Sequence, residues 1–258
     1  PAGPLYLLDC GVKWTSGATL TIRGRGGDSS LGQAGENAAY EMARLLGNLA
    51  AHEPRVRHFD GLEPLLDVLA PGAADYEERI ERARAAHPGL ARIVEALSRT
   101  IVQPTKVGVG GGLNQVPHEA EVFLQVIPIP GTTKEALEAE LREALGPGDY
   151  SVEVDDPQGG DVSTDESPLR DAIEGFLAAH DPEATLVPCR AYGYSDCDLF
   201  RKHYGSTIYG FIPFRHADPV VNLETKHGPD ERVLIDDLVF QVEAALSVAR
   251  RIGALERS

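Results

Sequence analysis

The segment Lys226–Glu231 (KHGPDE) carries the residues best suited to chemistry in this sequence. Its histidine, His227, is followed by a glycine and then by acidic residues. An imidazole nitrogen is a good zinc donor, a neighbouring glycine leaves the ring accessible, and nearby carboxylates can orient the ring. A lone histidine is more often a surface or core residue than a ligand. The pattern by itself therefore indicates a candidate metal ligand at His227.

A second candidate segment is Gly193–Arg201 (GYSDCDLFR), in which small and acidic residues lie between a predicted strand and Tyr209-Gly210-Phe211. Such a loop could contact a substrate. The alternative is structural, because Asp196 and Asp198 are also typical of residues that end a strand or cap a helix. Both interpretations remain open from the pattern alone.

A third candidate is the glycine-rich segment Gly110–Pro117 (GGGLNQVP). Glycines allow the backbone to approach a ligand, and the Asn114 side chain could hydrogen-bond one, but a tight turn between strands explains the same residues. No G-K-[ST] follows, so the segment is not a phosphate-binding loop. The sequence contains no recognisable Ser-His-Asp, dinucleotide-binding or C-x-x-C signature.

The elements that position these segments follow from hydrophobic periodicity. The first part of the chain has the order strand, helix, strand, strand, helix, strand, which predicts a ferredoxin-like domain. A helical insertion interrupts this order after the first helix. The predicted strands are Ala18–Arg25, Thr105–Gly112, Glu121–Ile127 and one at residues 150–155; the predicted helices are Ala34–Ala51, Tyr76–Ala86, Pro88–Ser98 and one opened by Thr132 and Glu135; His52–Gly72 is predicted as loop.

The polar, glycine-rich segment Asp155–Glu166 is the best candidate linker. After it we predict a helix opened by Ser167-Pro168, strands at Thr185–Cys189 and Thr207–Ile212, and a final helix with an apolar stripe. The predicted domains are a remnant of an upstream domain at 1–16, a ferredoxin-like domain at 17–156 and a second domain at 157–258.

Composition limits the classes of function. A net charge of −16 argues against nucleic acid as a partner, because phosphate binding requires clustered Lys and Arg. Three cysteines without C-x-x-C spacing favour a reducing, cytoplasmic location, and no apolar run is long enough to suggest a membrane partner. The chain opens at Pro1 and its only methionine is Met42, so we expect that a segment precedes it in the natural protein.

Taken together and in order, several segments resemble the family that contains aminoacylase, carboxypeptidase S, glutamate carboxypeptidase and carnosinase. The resemblance extends from about Ala18 to the end of the chain. It implies a mixed α+β and α/β fold, in which a ferredoxin-like lid or dimerisation domain precedes the C-terminal half of a three-layer α/β/α zinc-hydrolase domain. The segments are Gly24–Asn37, Pro104–Pro117, Pro130-Gly131, Tyr192–Arg201, Tyr209–Pro213 and His227–Arg232.

The resemblance also implies a chemistry, in which two zinc ions activate a water for attack on an amide carbonyl of a small peptide or N-acyl amino acid. His227 matches the family's last zinc ligand. The other ligands and the general-base glutamate belong to an N-terminal half that this sequence does not contain. Substrate-binding positions are implied at Asn114, Ser195, Asp196 and Gly210.

Three positions depart from the family pattern. Asp28 stands where the lid carries a histidine that stabilises the oxyanion, Ile127 where an arginine would bind a substrate carboxylate, and Asp198 where a second arginine is expected. The chain is accordingly either a divergent hydrolase or a non-catalytic relative that serves as a dimerisation or binding module. By itself, we expect it to be inactive, and we expect a homodimer formed by edge pairing of Ala18–Arg25 together with the helix Ala34–Ala51.

Overall fold

The computed structural model describes residues 3–31, 36–73 and 75–255. The first residues of the predicted helix Ala34–Ala51 and the predicted domain limits at 1 and 258 lie outside this described part. No helix within the described ranges is long and apolar enough to cross a membrane. The strands are β1 Leu5–Val12, β2 Ser16–Arg23, β3 Gly27–Asp28, β4 Ile101–Val109, β5 Gln115–Val116, β6 Glu119–Ile127, β7 Tyr150–Val154 and β8 Thr185–Ala191. The α-helices are α1 Ala38–Ala51, α2 Glu63–Leu69, α3 Tyr76–Ala86, α4 Pro88–Ser98, α5 Lys134–Leu145, α6 Pro168–His180, α7 Cys197–Tyr204, α8 Pro219–Thr225 and α9 Ile235–Leu255.

One compact unit, formed by Lys13–Arg57 and Arg99–Gly159, is ferredoxin-like. Its four-stranded antiparallel sheet has the order β4-β6-β2-β7. Inward and outward residues alternate along β6, as expected of a sheet with one covered face. Helices α1 and α5 contribute apolar residues such as Leu45 and Leu141 to the core beneath that face. The predicted ferredoxin-like fold is therefore confirmed.

The predicted dimer contact, in which the strand Ala18–Arg25 would pair edge to edge with a second copy, is wrong. This strand is β2, and it is a central strand of the sheet. It is hydrogen-bonded to β6 on one side and to β7 on the other, so its backbone groups are already paired. The edges of this sheet are β4 and β7. An edge strand is the part of a sheet that can add a further strand, and β4 is exposed along most of its length.

The second compact unit comprises residues 3–12, 58–98 and 160–255 of the described chain. Strands β1 and β8 pair in parallel, from Leu5 with Thr185 to Val12 with Ala191. Helices α6 and α9 pack on this pair, and Phe176 and Phe240 are buried in the shared core with ring centroids 5.2 Å apart. Ser167 caps α6 by accepting a hydrogen bond from the Arg170 N–H, as its sequence predicts. This unit is the helix-flanked half of the α/β fold.

Residues 58–98 belong to this second unit, whereas the sequence interpretation kept them inside the ferredoxin-like domain. The physical reason is the burial of α2 and α4. Leu65 and Leu66 of α2 are fully buried, α2 packs against β8, and Arg92 of α4 forms an ion pair with Glu224 of α8. Residues 58–98, which the sequence presented as a helical insertion in the ferredoxin-like domain, are thus a packed layer of the second unit.

The structure differs from the sequence predictions in four further places. β1 was not predicted, part of the predicted loop His52–Gly72 forms α2, and the predicted strand Thr207–Ile212 is not a strand. In that last segment, backbone pairing is confined to an isolated bridge between Gly210 and Asp9. The predicted capping residue Thr132 instead donates its hydroxyl to the Ile129 carbonyl, and Thr133 caps α5.

Helix α9 presents an apolar face to solvent. The large side chains on this face are each about half exposed or more, whereas Phe240 and Ala244 on the opposite side are buried. The stripe recognised in the sequence is therefore mainly an exposed surface. Leu238, Val239, Val242 and Leu246 belong to the predicted stripe, and Ile235 extends the exposed apolar surface.

Candidate functional site

His227 occupies the turn that follows α8. Among the described residues it is the one non-glycine with positive φ, at 59°. The turn is closed by the Gly228 N–H, which donates to the Thr225 carbonyl over 2.8 Å, and by the His227 N–H, which donates to Glu231 over 3.1 Å. Such a conformation costs free energy in a non-glycine residue, and residues of this kind cluster at functional sites.

The imidazole of His227 is exposed and, within the described part of the chain, holds no hydrogen bond. Glu231 therefore fixes the backbone of this turn, and not the ring orientation that the sequence suggested. An accessible ring on a fixed backbone is suited to accept a ligand. It is one donor only, and the described residues contain no group of three or more His, Cys, Asp or Glu side chains that could hold a metal ion. These residues alone therefore do not form a zinc site.

The loop before α7 places Ser195 and Asp196 at the start of that helix. The Ser195 hydroxyl accepts a hydrogen bond from the Cys197 N–H over 3.3 Å. Asp196 is exposed, and its carboxylate makes no capping bond to the described backbone. Ser195 thus helps to begin the helix, while the Asp196 carboxylate remains accessible.

Asp198 has a structural role, because it is buried and its carboxylate accepts a hydrogen bond from the Asp161 N–H over 3.0 Å. One turn later, Arg201 donates to the Ser163 hydroxyl and to the Ile208 carbonyl. Asp198 therefore neither ends a strand nor caps a helix, and its side chain is buried between α7 and the Asp161 backbone.

Asp9, near the C-terminal end of β1, is a candidate that sequence reasoning missed. Gly210 forms its isolated bridge with Asp9 through two backbone hydrogen bonds of 2.9 Å. A Cβ atom at Gly210 would lie 3.0 Å from both Cβ and Oδ2 of Asp9, so the glycine permits this approach. The carboxyl ends of parallel strands are a common location of ligand sites. The signal in the sequence was an acidic residue at the end of an apolar run, LYLLD.

Asp9 is half-buried. Burial, foremost, raises its pKa above the ordinary value. The Cys189 thiol, which donates to Oδ1 over 3.3 Å, opposes this shift, as do the positive charges of Lys226 and Arg201. Lys226, the residue before His227 in the sequence, is thus one of the positive charges that act on the Asp9 carboxylate.

The other candidates, Asp28 and Asn114, are brought together in the ferredoxin-like unit. Asp28 in β3 pairs with Gln115 in β5, and the Ser29 N–H donates to the Asn114 carbonyl over 3.1 Å. The Asp28 carboxylate accepts hydrogen bonds from the N–H and the hydroxyl of Ser30, at 2.9 and 2.7 Å. These bonds hold the pKa of the exposed Asp28 carboxyl below its ordinary value, so it is an anion at neutral pH.

The six predicted site residues thus form two groups. Asp28 and Asn114 lie on two neighbouring segments of the ferredoxin-like unit, whereas the other four belong to the unit built on β1 and β8. Ile127, at the position of a family arginine, pairs with Ile101 and is half-buried. The four residues of the second group are Ser195, Asp196, Gly210 and His227.

The profile of the peptidase dimerisation domain family matches residues 11–152, which is more than half of the chain. The chain belongs to this family, the M20 peptidases. No curated protein sequence matches the chain.

Solved structures of M20-type proteins share the fold. The M20 family metallo-carboxypeptidase Sso-CP2 from Sulfolobus solfataricus is 19% identical with a TM-score of 0.58, and the match covers 96% of this chain and 61% of that one. The di-peptidase Dug1p from Saccharomyces cerevisiae is 13% identical with a TM-score of 0.62, covering 96% and 56%. Aminopeptidase PepT from Bacillus cereus is 13% identical with a TM-score of 0.52, covering 98% and 56%. The chain therefore spans less than two thirds of the structures it matches.

Proposed function

We propose that this chain forms part of a zinc-dependent hydrolase that cleaves amide bonds in small peptides or N-acyl amino acids. The observation that carries the proposal is the conformation of His227. A positive φ in a non-glycine residue costs free energy, and the cost is compensated where the exposed ring has a ligand to hold. Membership of a peptidase family supports the reaction class.

Asp9 is the proposed second contributor to the same site. A partly desolvated carboxylate is a good zinc ligand, because a metal cation offsets the cost of burying its charge. Asp9 and His227 together supply two donors, and a complete two-metal site requires more. We therefore assign these residues a ligand role and assign no reaction step to the metals.

Asn114, Ser195, Asp196 and Gly210 are the proposed substrate contacts. Asn114 offers amide donors, Asp196 offers an exposed carboxylate for a substrate N–H or amino group, and Gly210 lies directly beside Asp9. Asp28 is ill suited to stabilise an oxyanion, since its carboxylate is itself an anion. Loss of one oxyanion donor reduces rates by about 10²–10³ in measured cases, so a hydrolase of this type would be slow or would recruit another donor.

The second candidate function is a non-catalytic dimerisation or binding module. It is favoured by Asp28, Ile127 and Asp198, because these residues replace the histidine and the two arginines that the family pattern has at the same positions. In both functions the partner is proposed to be a second copy of the chain, bound through the ferredoxin-like unit of Lys13–Arg57 and Arg99–Gly159. The three free thiols fit a reducing, cytoplasmic location.

The test uses a longer protein that contains this chain, with zinc content measured by mass spectrometry after dialysis. His227→Ala and Asp9→Asn should each reduce bound zinc, whereas His203→Ala, an exposed histidine in α7, should not. Turnover of dipeptides and N-acetyl amino acids separates the two functions. Zinc binding with turnover supports the hydrolase, zinc binding without turnover supports the binding module, and zinc content unaffected by His227→Ala removes the assignment of the site.

A further inference from the structure

Helices α6 and α9 flank a groove that none of the candidate site residues lines. The two helices run antiparallel, because His180 at the end of α6 lies against Phe240 near the start of α9, whereas Gly175 within α6 contacts Arg251 near the end of α9. The groove has a volume of about 570 Å³, which is in the range of small-molecule sites. Six residues line it: His180, Glu243, Leu246, Ser247, Arg250 and Arg251.

Four of these residues form one stripe along α9. Glu243, Leu246, Ser247 and Arg250 are spaced three, one and three positions apart, so they share one face of the helix. Glu243 precedes Arg250 and Arg251 by seven and eight positions, which corresponds to roughly 10–12 Å along a helix that rises about 1.5 Å per residue. The groove thus has a carboxylate towards one end, two guanidinium groups towards the other, and an apolar and a hydroxyl side chain between them.

The Arg251 guanidinium is held in a fixed position against α6. Its Nη2 donates a hydrogen bond to the Gly175 carbonyl over 3.0 Å. A Cβ atom at residue 175 would lie 2.6 Å from Nη1 of Arg251, so a side chain there would displace the guanidinium. Glycine weakens the interior of a helix, and at this place it allows a cation to lie against α6. One charge of the groove is therefore oriented before any ligand binds.

The charged side chains of the groove form no ion pair within the described part of the chain. Arginines of other helices pair with a glutamate four positions earlier, as Arg82 does with Glu78. The same position before Arg250 and Arg251 holds an uncharged residue, and Glu243 has no basic residue four positions away on either side. Two adjacent arginines and a glutamate on one helix face are therefore available to a ligand that has charges of both signs.

We propose that this groove binds a short peptide with free termini, about three residues long. The peptide carboxylate lies at Arg250 and Arg251, and its ammonium group lies at Glu243. An extended chain spans about 3.3–3.6 Å per residue, so three residues match the roughly 10–12 Å between the charges of the groove. Leu246 contacts the middle side chain of the peptide, and the half-buried Ser247 hydroxyl hydrogen-bonds a peptide amide.

Both charges are needed to specify this ligand. A simple anion at the arginines would be repelled by the Glu243 carboxylate, and a simple cation at Glu243 would be repelled by two guanidinium groups. A zwitterion of matching length avoids both repulsions, which is how a site discriminates against other ligands. His180 forms a fixed wall at the Glu243 end, since its Nδ1 donates to the Phe176 carbonyl over 2.9 Å and its ring stacks on the Phe176 ring at 4.2 Å.

The test is titration of the 258-residue chain with trialanine, followed through the NMR signals of the His180 ring. We expect saturable shifts that Arg251→Met and Glu243→Gln each weaken by about fivefold in affinity, as for exposed ion pairs. Arg82→Met, at an exposed arginine of α3, should leave the affinity unchanged. A chelator is present throughout, so the result does not depend on the proposed zinc site, and the two proposals can fail separately.

Blocked peptides assign each charge to its end of the groove. Trialanine amide lacks the carboxylate, so Arg251→Met should no longer weaken its binding, and N-acetyltrialanine lacks the ammonium group, so Glu243→Gln should have no effect on it. Arg250→Met replaces Arg251→Met if that variant does not fold. Shifts that do not saturate, or an arginine variant that weakens trialanine and its amide equally, would overturn the proposal.

Discussion

The Cys189 thiol of β8 donates a hydrogen bond to the Asp9 carboxylate of β1, with 3.3 Å between Sγ and Oδ1. The two residues are register partners in the parallel pair, so the bond links neighbouring strands directly. It is one of the interactions that compensate the burial of a negative charge. The Asp9 carboxylate is therefore stabilised in part by an uncharged donor, the Cys189 thiol.

Replacing Cys189 by alanine should destabilise the chain by about 1–3 kcal/mol, because a buried acceptor loses its donor. Serine retains a hydroxyl donor, so Cys189→Ser should lose less. Cys197→Ala, at a half-buried cysteine of α7, is the control. Urea unfolding at pH 7 measures all three, and equal losses in the alanine and serine variants would show that the hydrogen bond contributes nothing.

Gly210→Ala should weaken the bridge to β1. Its new Cβ would lie 3.0 Å from the Asp9 side chain, which is closer than normal packing allows, so the backbone must shift. We expect a loss of about 1–3 kcal/mol in the free energy of unfolding. Gly193→Ala meets no atom within 4 Å and should be nearly neutral. If the two variants unfold at the same urea concentration, the close approach is not stabilising.

Asp237 should be responsible for part of the acid sensitivity of the chain. Burial acts to raise the pKa of its carboxyl, but the N–H groups of residues 215–217 donate to it at 2.7–2.9 Å and hold the pKa below its ordinary value. A lowered pKa means that stability is present above about pH 4 and is lost as the pH falls through the folded-state value. Asp237→Asn should cost about 2–3 kcal/mol at pH 7 and progressively less in acid.

The control for this experiment is Asp236→Asn, an exposed neighbour on the first turn of α9. Unfolding free energies are compared from pH 2 to pH 7. A difference between Asp237→Asn and the wild-type chain that stays constant over this range would contradict the titration of Asp237.

A dimer should form through the exposed edge strand β4. Val107 and Val109 are 51% and 45% exposed there, and their strand is unpaired on its outer side among the described residues. Val109→Lys should shift the chain to monomer, since a charge on an edge strand opposes pairing. Val162→Lys, at a valine with 46% exposure in the other unit, should leave the dimer intact. Sedimentation at micromolar concentration measures the oligomeric state of each variant. A monomeric wild-type chain would contradict the predicted dimer.

The chain of residues 1–258 should show no measurable zinc-dependent hydrolysis of dipeptides or N-acyl amino acids. His227 and Asp9 are too few ligands to hold two zinc ions, and Asp28 would repel a developing oxyanion. The measurement is product release with zinc added and with a chelator. Turnover that the chelator abolishes and zinc restores would show that the active site lies elsewhere in this chain.

Elements with strong polar and apolar contrast were predictable from the sequence. Helices Tyr76–Ala86 and Pro88–Ser98 have the predicted bounds, because their polarity and spacing specify both the period and the ends. β1 was missed because its run LYLLDCGV lacks alternation and is largely buried on both faces. Thr207–Ile212 has the composition of a strand, but among the described residues it forms one isolated bridge, from Gly210 to Asp9. Strand pairing depends on segments that are distant in the sequence, and local composition does not report them.

The site was predictable only where residue type determines the role. His227 could be recognised as a candidate ligand, but its positive φ depends on the turn closed by Gly228 and Glu231. The burial of Asp198 depends on Asp161, a residue 37 positions away. Contacts between distant segments leave no trace in local periodicity, and for this reason Asp9 was found only in the structure.

The pairing of β1 with β8 also constrains how the chain folds during its synthesis. The contact between Asp9 and Cys189, 180 positions later, can form only after β8 has been synthesised. At about 5–20 residues per second the ribosome needs roughly 10–40 seconds to cover that distance. The ferredoxin-like unit is complete at Gly159 and has its own core, so it can fold first. Throughout this interval β1 lacks its partner β8, so its apolar residues are open to contacts other than those of the folded unit.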